Sequence, residues 1–163
     1  VASVSKSNPV DIRPSAAPAN RPAAARRVLL VDDQPFFLDL GQNMLRPRGF
    51  AVQTACNGRE ALQAAQATPR PEVILLDVEM PGMDGFETCR RLKADPSTAN
   101  IPVVILTGST NPQVMHKAFE AGAAAAILKS MSTERLLNML QLVLSTQQVQ
   151  AAGLEAPAEP AGA

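Results

Sequence analysis

Five short apolar runs recur through the middle of the chain, each followed by a longer stretch in which apolar residues return every three to four positions. Short, nearly all-apolar runs suit strands buried on both faces, and the 3.6-residue period suits helices that lay one face on them. The runs are Arg27 to Val31, Ala51 to Thr54, Val73 to Leu76, Val103 to Leu106 and Ala125 to Leu128. The periodic stretches are Pro35 to Leu45, Gly58 to Ala67, Gly85 to Lys93, Pro112 to Ala121 and Thr133 to Ser145. Strict alternation of this kind predicts an α/β fold: a doubly wound, five-stranded parallel sheet with five helices covering both faces.

Local signals agree with those boundaries. Asn57 with Glu60, and Asp84 with Glu87, place a capping side chain three residues before a carboxylate, which is how a helix satisfies its first free N–H groups. Pro35 and Pro112 sit where a first helical turn tolerates proline, and Gly49 and Gly122 sit where a helix must stop before a strand.

Outside 26–146 the composition changes. Residues 1–25 are rich in Pro, Ala and Ser, and residues 147–163 run to Ala, Pro and Glu. Neither segment carries enough large apolar side chains to offset the entropy of ordering it, so both read as disordered leader, tail or linker. The chain begins on Val1, and linker-like flanks lead to the expectation of a piece of a longer protein. Fifteen basic residues balance 15 acidic ones, with five Phe and neither Tyr nor Trp. Nucleic-acid binding wants a basic face and aromatic platforms, and is not expected. Five basic residues in and just after the leader, Lys6, Arg13, Arg21, Arg26 and Arg27, are spread out and read as solubilising. Two cysteines, Cys56 and Cys89, build neither a disulfide scaffold nor a four-cysteine zinc site. The apolar runs are too short to insert in a membrane, and a cytoplasmic protein is expected.

In an open parallel sheet the chemistry collects beyond the carboxyl ends of the strands. The residues there are Asp32 and Asp33, Asp77, Thr107 and Lys129. Three carboxylates at one edge repel one another unless a cation sits among them. Oxygen ligands without His or Cys suit Mg2+, which keeps several waters and takes one or two carboxylates plus a phosphate. A lysine ammonium and a threonine hydroxyl beside them prepare the edge for a phosphoryl group.

The strings VLLVDDQ, VILLDVEMPGMDGFE, IPVVILTGST and AFEAGAAAAILK together resemble the receiver domain of two-component response regulators, of which the single-domain chemotaxis regulator is the simplest member. The resemblance covers 26–146 in the family's order and spacing. It implies a flavodoxin-like strand order 2-1-3-4-5. It further implies that Asp77 is the phosphoacceptor, that Asp32, Asp33, Asp77 and the backbone carbonyl of Glu79 hold Mg2+, and that Thr107 and Lys129 meet the phosphoryl oxygens. The implied donor is a phosphohistidine on a sensor histidine kinase or phosphotransfer protein, and the implied output a downstream protein or a fused domain. Such a module phosphorylates itself from a donor and loses the group slowly, without turnover of an external substrate.

Three positions depart from the family pattern. Ala126 stands where relatives carry the Tyr or Phe whose rotamer follows the threonine, and Ser130 follows Lys129 where relatives have a cis proline. Without proline a trans bond is expected. Glu79 adds a carboxylate at the rim, with repulsion of the phosphoryl group, help in metal binding and slowing of attacking water all open. Met115, Ala126, Met139 and Leu142 fall where the family's fourth helix, fifth strand and fifth helix present a partner surface, and kinase or target docking or a homodimer through that face is expected.

Other readings compete for the same residues. A degenerate receiver would keep its acidic pocket and act as a phosphorylation-independent interaction module. A phosphohydrolase of the haloacid dehalogenase kind would want Asp-x-Asp after the first strand, whereas here the pair is adjacent. His116, the one histidine, lacks the helical bundle that phosphotransfer from histidine needs. The glycines of PGMDG match no phosphate-loop spacing and read as turn residues.

Overall fold

The computed structural model describes residues 24–153. The leader through residue 23 and the tail from residue 154 lie outside the described residues. The order of elements is β1 (Arg26–Val31), α1 (Pro35–Leu45), a 3-10 turn (Arg46–Arg48), β2 (Phe50–Ala55), α2 (Gly58–Gln66), β3 (Val73–Asp77), α3 (Gly85–Ala94), β4 (Val103–Thr107), α4 (Pro112–Glu120), β5 (Ala125–Leu128) and α5 (Thr133–Ala152). All strand pairs are parallel, in the order β2-β1-β3-β4-β5.

Alternation along each strand divides the core in two. Leu29, Val31, Ile74, Leu76, Val103 and Ile105 point to one face, where Ala61 and Ala65 of α2, Cys89 and Leu92 of α3 and Ala118 of α4 close over them. Val28, Leu30, Val73, Leu75, Val104 and Ile127 point to the other, against Leu45 of α1 and Leu140, Val143 and Leu144 of α5. The central strand β3 is buried along its whole length, whereas the edge strand β2 alternates between half-buried and exposed positions from Phe50 to Gln53 and buries only Ala55.

The capping signals operate as read. Asn57 Oδ1 accepts from the Glu60 N–H at 2.8 Å, and Glu60 reaches back to the Cys56 N–H at 2.9 Å. Asp84 Oδ1 accepts from the Glu87 N–H at 2.8 Å. Pro35 and Pro112 both occupy first turns. The turn after α1 ends on Gly49 at φ 86°, a left-handed conformation that side chains resist.

One boundary is corrected. The fifth helix does not stop at Ser145 but continues through Gln147 to Ala152. The segment QQVQAA is built of residues that tolerate a helix well, with no glycine before Gly153. Gln147 also donates its side-chain amide to the carbonyl of Asn100, tying the extension to the loop before β4.

Candidate functional site

Strand register assembles the site. Val31 pairs with Leu76, so Asp32 emerges beside Asp77; Asp77 pairs with Leu106, and Thr107 with Leu128, so Thr107 and Lys129 each follow one residue further along. Four neighbouring strand ends thereby deliver four polar side chains to one place. The N–H of Lys129 bonds the carbonyl of Thr107 at 2.8 Å and that of Val78 bonds Leu106 at 3.1 Å, which carries the sheet's pairing into the site loops.

Asp32, Asp77 and Thr107 are buried polar residues. The Lys129 ammonium donates to Asp32 Oδ2 at 2.6 Å and lies 3.0 Å from Asp77 Oδ1. Asp32 is held from behind, its Oδ1 accepting from the Gln34 N–H at 2.9 Å. Thr107 Oγ1 accepts from the Ser109 N–H at 3.0 Å, which fixes the oxygen and leaves its own O–H to donate elsewhere. Burial pushes the Asp77 carboxyl above its ordinary range, against the pull of the Lys129 hydrogen bond, and the charge of Asp32 pushes the same way. Burial works to lower Lys129, but its hydrogen bonds to Asp32 and Asp77, with their charges, hold it above the ordinary lysine value.

Carboxylate oxygens of Asp32, Asp33 and Asp77 lie within 4.8 Å of one another. One lysine against three carboxylates leaves the cluster under-neutralised, and the buried Asp33 Oδ1 has no hydrogen-bond partner. A buried acceptor left bare is costly. A small hard cation among oxygen donors resolves both the excess charge and the orphan oxygen, so the residues fit Mg2+. The Glu79 side chain is exposed and stands outside this cluster.

A family model described as the response regulator receiver domain matches residues 28–141. The chain belongs to that family. Among relatives, the receiver is 43% identical over 103 residues to the response regulator PleD of Caulobacter vibrioides, covering 63% of this chain and 22% of that protein. It is 36% identical over 118 residues to the DNA-binding dual master transcriptional regulator RpaA of Synechocystis, covering 72% and 48%. Chemotaxis protein CheY4 of Vibrio cholerae superposes with a TM-score of 0.69 at 36% identity, covering 74% of this chain and 99% of that one. The receiver spans less than half the length of these curated relatives. Receivers of this family are the phosphoacceptor modules of two-component signalling, and this chain is one of them.

The sequence reading missed one contact of the receiver's site, that of Phe37, and took Gly85 for a turn residue without the close approach that requires it. Phe37 of α1 places its ring 4.1 Å, centroid to Nζ, from Lys129; its position on the inward face of α1 was the available signal. Gly85 begins α3 so close to β3 that an added Cβ would stand 2.1 Å from the Asp77 carbonyl oxygen. Its signal was a glycine directly after a helix-capping aspartate.

One residue of the expected partner surface needs correction. Ala126 is 9% exposed and belongs to the core face that Ala118 covers; a methyl group is too short to emerge between α4 and β5, so it offers a partner nothing. Met115 and Met139 are half-buried against opposite core faces. Leu142, 63% exposed, is the one residue of the four that stands out from the surface. The Lys129–Ser130 bond is trans, the cis peptide among the described residues being Thr68–Pro69. Cys89 is buried and its thiol is pushed up to about 11 by that burial, the behaviour of a core side chain; Cys56 is exposed and hydrogen-bonded to Glu60.

Proposed function

We propose that the receiver takes a phosphoryl group onto Asp77 from a phosphohistidine of a sensor histidine kinase or phosphotransfer protein, and that the change at Asp77 switches contact with a downstream protein or fused domain. The observation that carries this is Lys129 bridging buried Asp32 and Asp77 beside the unpartnered oxygen of Asp33. An Asp77 carboxylate oxygen attacks phosphorus; the O–P bond forms as the P–N bond breaks, and the departing imidazole keeps the electron pair and takes a proton. Lys129 follows the negative charge outward from the carboxylate to the phosphoryl oxygens, and the Thr107 hydroxyl donates to another of them. Asp32, Asp33, Asp77 and the Glu79 carbonyl would hold Mg2+, which when bound supplies neutralisation of phosphoryl charge. Water later cleaves the acyl phosphate, releasing inorganic phosphate and restoring the carboxylate, so the cycle is stoichiometric signalling and not turnover of an external substrate.

Incubation with Mg2+ and a small phosphodonor is expected to give one phosphoryl adduct by intact mass, absent from Asp77→Asn. No adduct from a small donor or a cognate kinase would sink the reading in favour of a phosphorylation-independent module. The charge balance that argues against nucleic acid belongs to this stretch alone; relatives named as DNA-binding regulators are longer, and a fused domain is a separate matter. Among the described residues no helix is long and apolar enough to cross a membrane. Homodimerisation through the α4–β5–α5 face now rests on Leu142 rather than Ala126. Leu142→Glu is expected to abolish concentration-dependent assembly in sedimentation while leaving the unfolding midpoint within about 0.5 kcal/mol of wild type; unchanged assembly would remove the face from consideration.

A further inference from the structure

A lysine that must hold two carboxylates before transfer and follow a phosphoryl group after it needs a support that neither traps it nor lets it wander. Two directions of the Lys129 ammonium are taken by Asp32 Oδ2 at 2.6 Å and Asp77 Oδ1 at 3.0 Å. The Phe37 ring, its centroid 4.1 Å from the same nitrogen, lies within cation–π range. Phe37 is itself braced by Phe36, the rings meeting edge to face at 5.4 Å and 74°. Asp32, Phe37 and Lys129 also share the rim of one mostly apolar cavity, walled by Leu30, Leu75 and Ile127, so the contact is partly screened from water.

We propose that Phe37 is a positioning residue for phosphoryl transfer, its ring face steadying the Lys129 ammonium between Asp32 and Asp77 and letting it slide toward the phosphoryl oxygens. The chemistry of the support matters. A carboxylate or carbonyl in place of the ring would compete with the phosphoryl group for the lysine's protons through a charge-assisted hydrogen bond. A ring face attracts the cation weakly and without a preferred hydrogen-bond direction, so it restrains the ammonium and still releases it. Aliphatic residues would pack the same space without attracting the cation. Phe36, 68% exposed next to Phe37, gives a docked partner a lever on the same ring.

This inference rests on the phosphoacceptor reading, and its test separates the two. In metal-free protein, the Lys129 ε-methylene protons are expected to show an upfield ring-current shift by NMR that disappears in Phe37→Leu, whether or not any phosphoryl donor works. Phe37→Leu is expected to slow loading from a small phosphodonor roughly fivefold at saturating Mg2+, with Phe37→Tyr restoring it to within about twofold. In a Lys129→Gln background Phe37→Leu should add no further slowing, because the ring would then have no cation to hold. A ring that only fills space predicts lowered thermal stability and equal slowing in both backgrounds, and an ammonium that does not lie over the ring predicts unshifted Lys129 resonances; equal slowing or unshifted resonances would overturn the proposal. Failure of wild-type protein to load, with the ring-current shift present, would count against the phosphoacceptor reading and leave the lysine clamp standing.

Discussion

Lys129→Ala is expected to slow phosphoryl loading by about 10²- to 10³-fold, the loss that follows when a preorganised charge is removed from a water-poor transfer site. The magnitude is set by where the ammonium stands. It contacts Asp32 and Asp77 together with only 15% of its side chain exposed, so no solvent molecule or surface lysine takes over its work. Without it, three clustered carboxylates retain no lysine counter-charge, and the metal-free protein should lose about 2 kcal/mol of stability, less than a fully buried pair would lose because Asp77 can take up a proton. Added Mg2+ should recover much of the stability and little of the rate, since a cation satisfies the oxygens without standing where the phosphoryl charge arrives. Urea titrations with and without Mg2+, beside loading kinetics by intact mass, read both effects. Equal rates in wild type and variant would show that Lys129 serves the fold alone.

Gly85→Ala is expected to cost about 3 kcal/mol and to lower Tm by about 10 °C. The added methyl would lie 2.1 Å from the Asp77 carbonyl oxygen and 2.8 Å from Val78 Cα, and both obstacles are backbone, which no rotamer change relieves. The Gly85 N–H also bonds the Val78 carbonyl at 2.9 Å, so α3 cannot retreat without surrendering a buried hydrogen bond. Because the strained segment carries the phosphoacceptor, the surviving folded fraction should also load more slowly. Gly108→Ala is the matched control: nothing lies within 4 Å of its added Cβ, and its unfolding midpoint should stay within about 0.5 kcal/mol of wild type. A Gly85→Ala protein as stable as that control would mean that α3 can shift its start at no cost.

The pocket was legible because strand ends are where apolar runs stop, and Asp32, Asp77, Thr107 and Lys129 each follow such a run. Adjacent strands in register then leave little freedom over which of them meet. Caps were legible for a similar reason, since Asn57 and Asp84 act on N–H groups only three residues away. What escaped depends on packing between distant segments. The burial of Ala126 follows from the length of a methyl group against the height of the groove, not from its place in a motif. The reach of α5 was lost by weighing QQVQAA with the proline-rich residues beyond it instead of by its own helical tolerance. Phe37 is one of several apolar residues of α1 and is only half-buried; only the fold brings its ring to a cation whose sequence position is far away.

The link between Asp32 and Lys129 spans 97 positions of sequence, from the first strand's end to the last. No shorter stretch of the chain contains a complete pocket. A chain that stops short of β5 holds Asp32 and Asp77 without Lys129, so the charge balance of the pocket is reached only when the last strand has paired with β4.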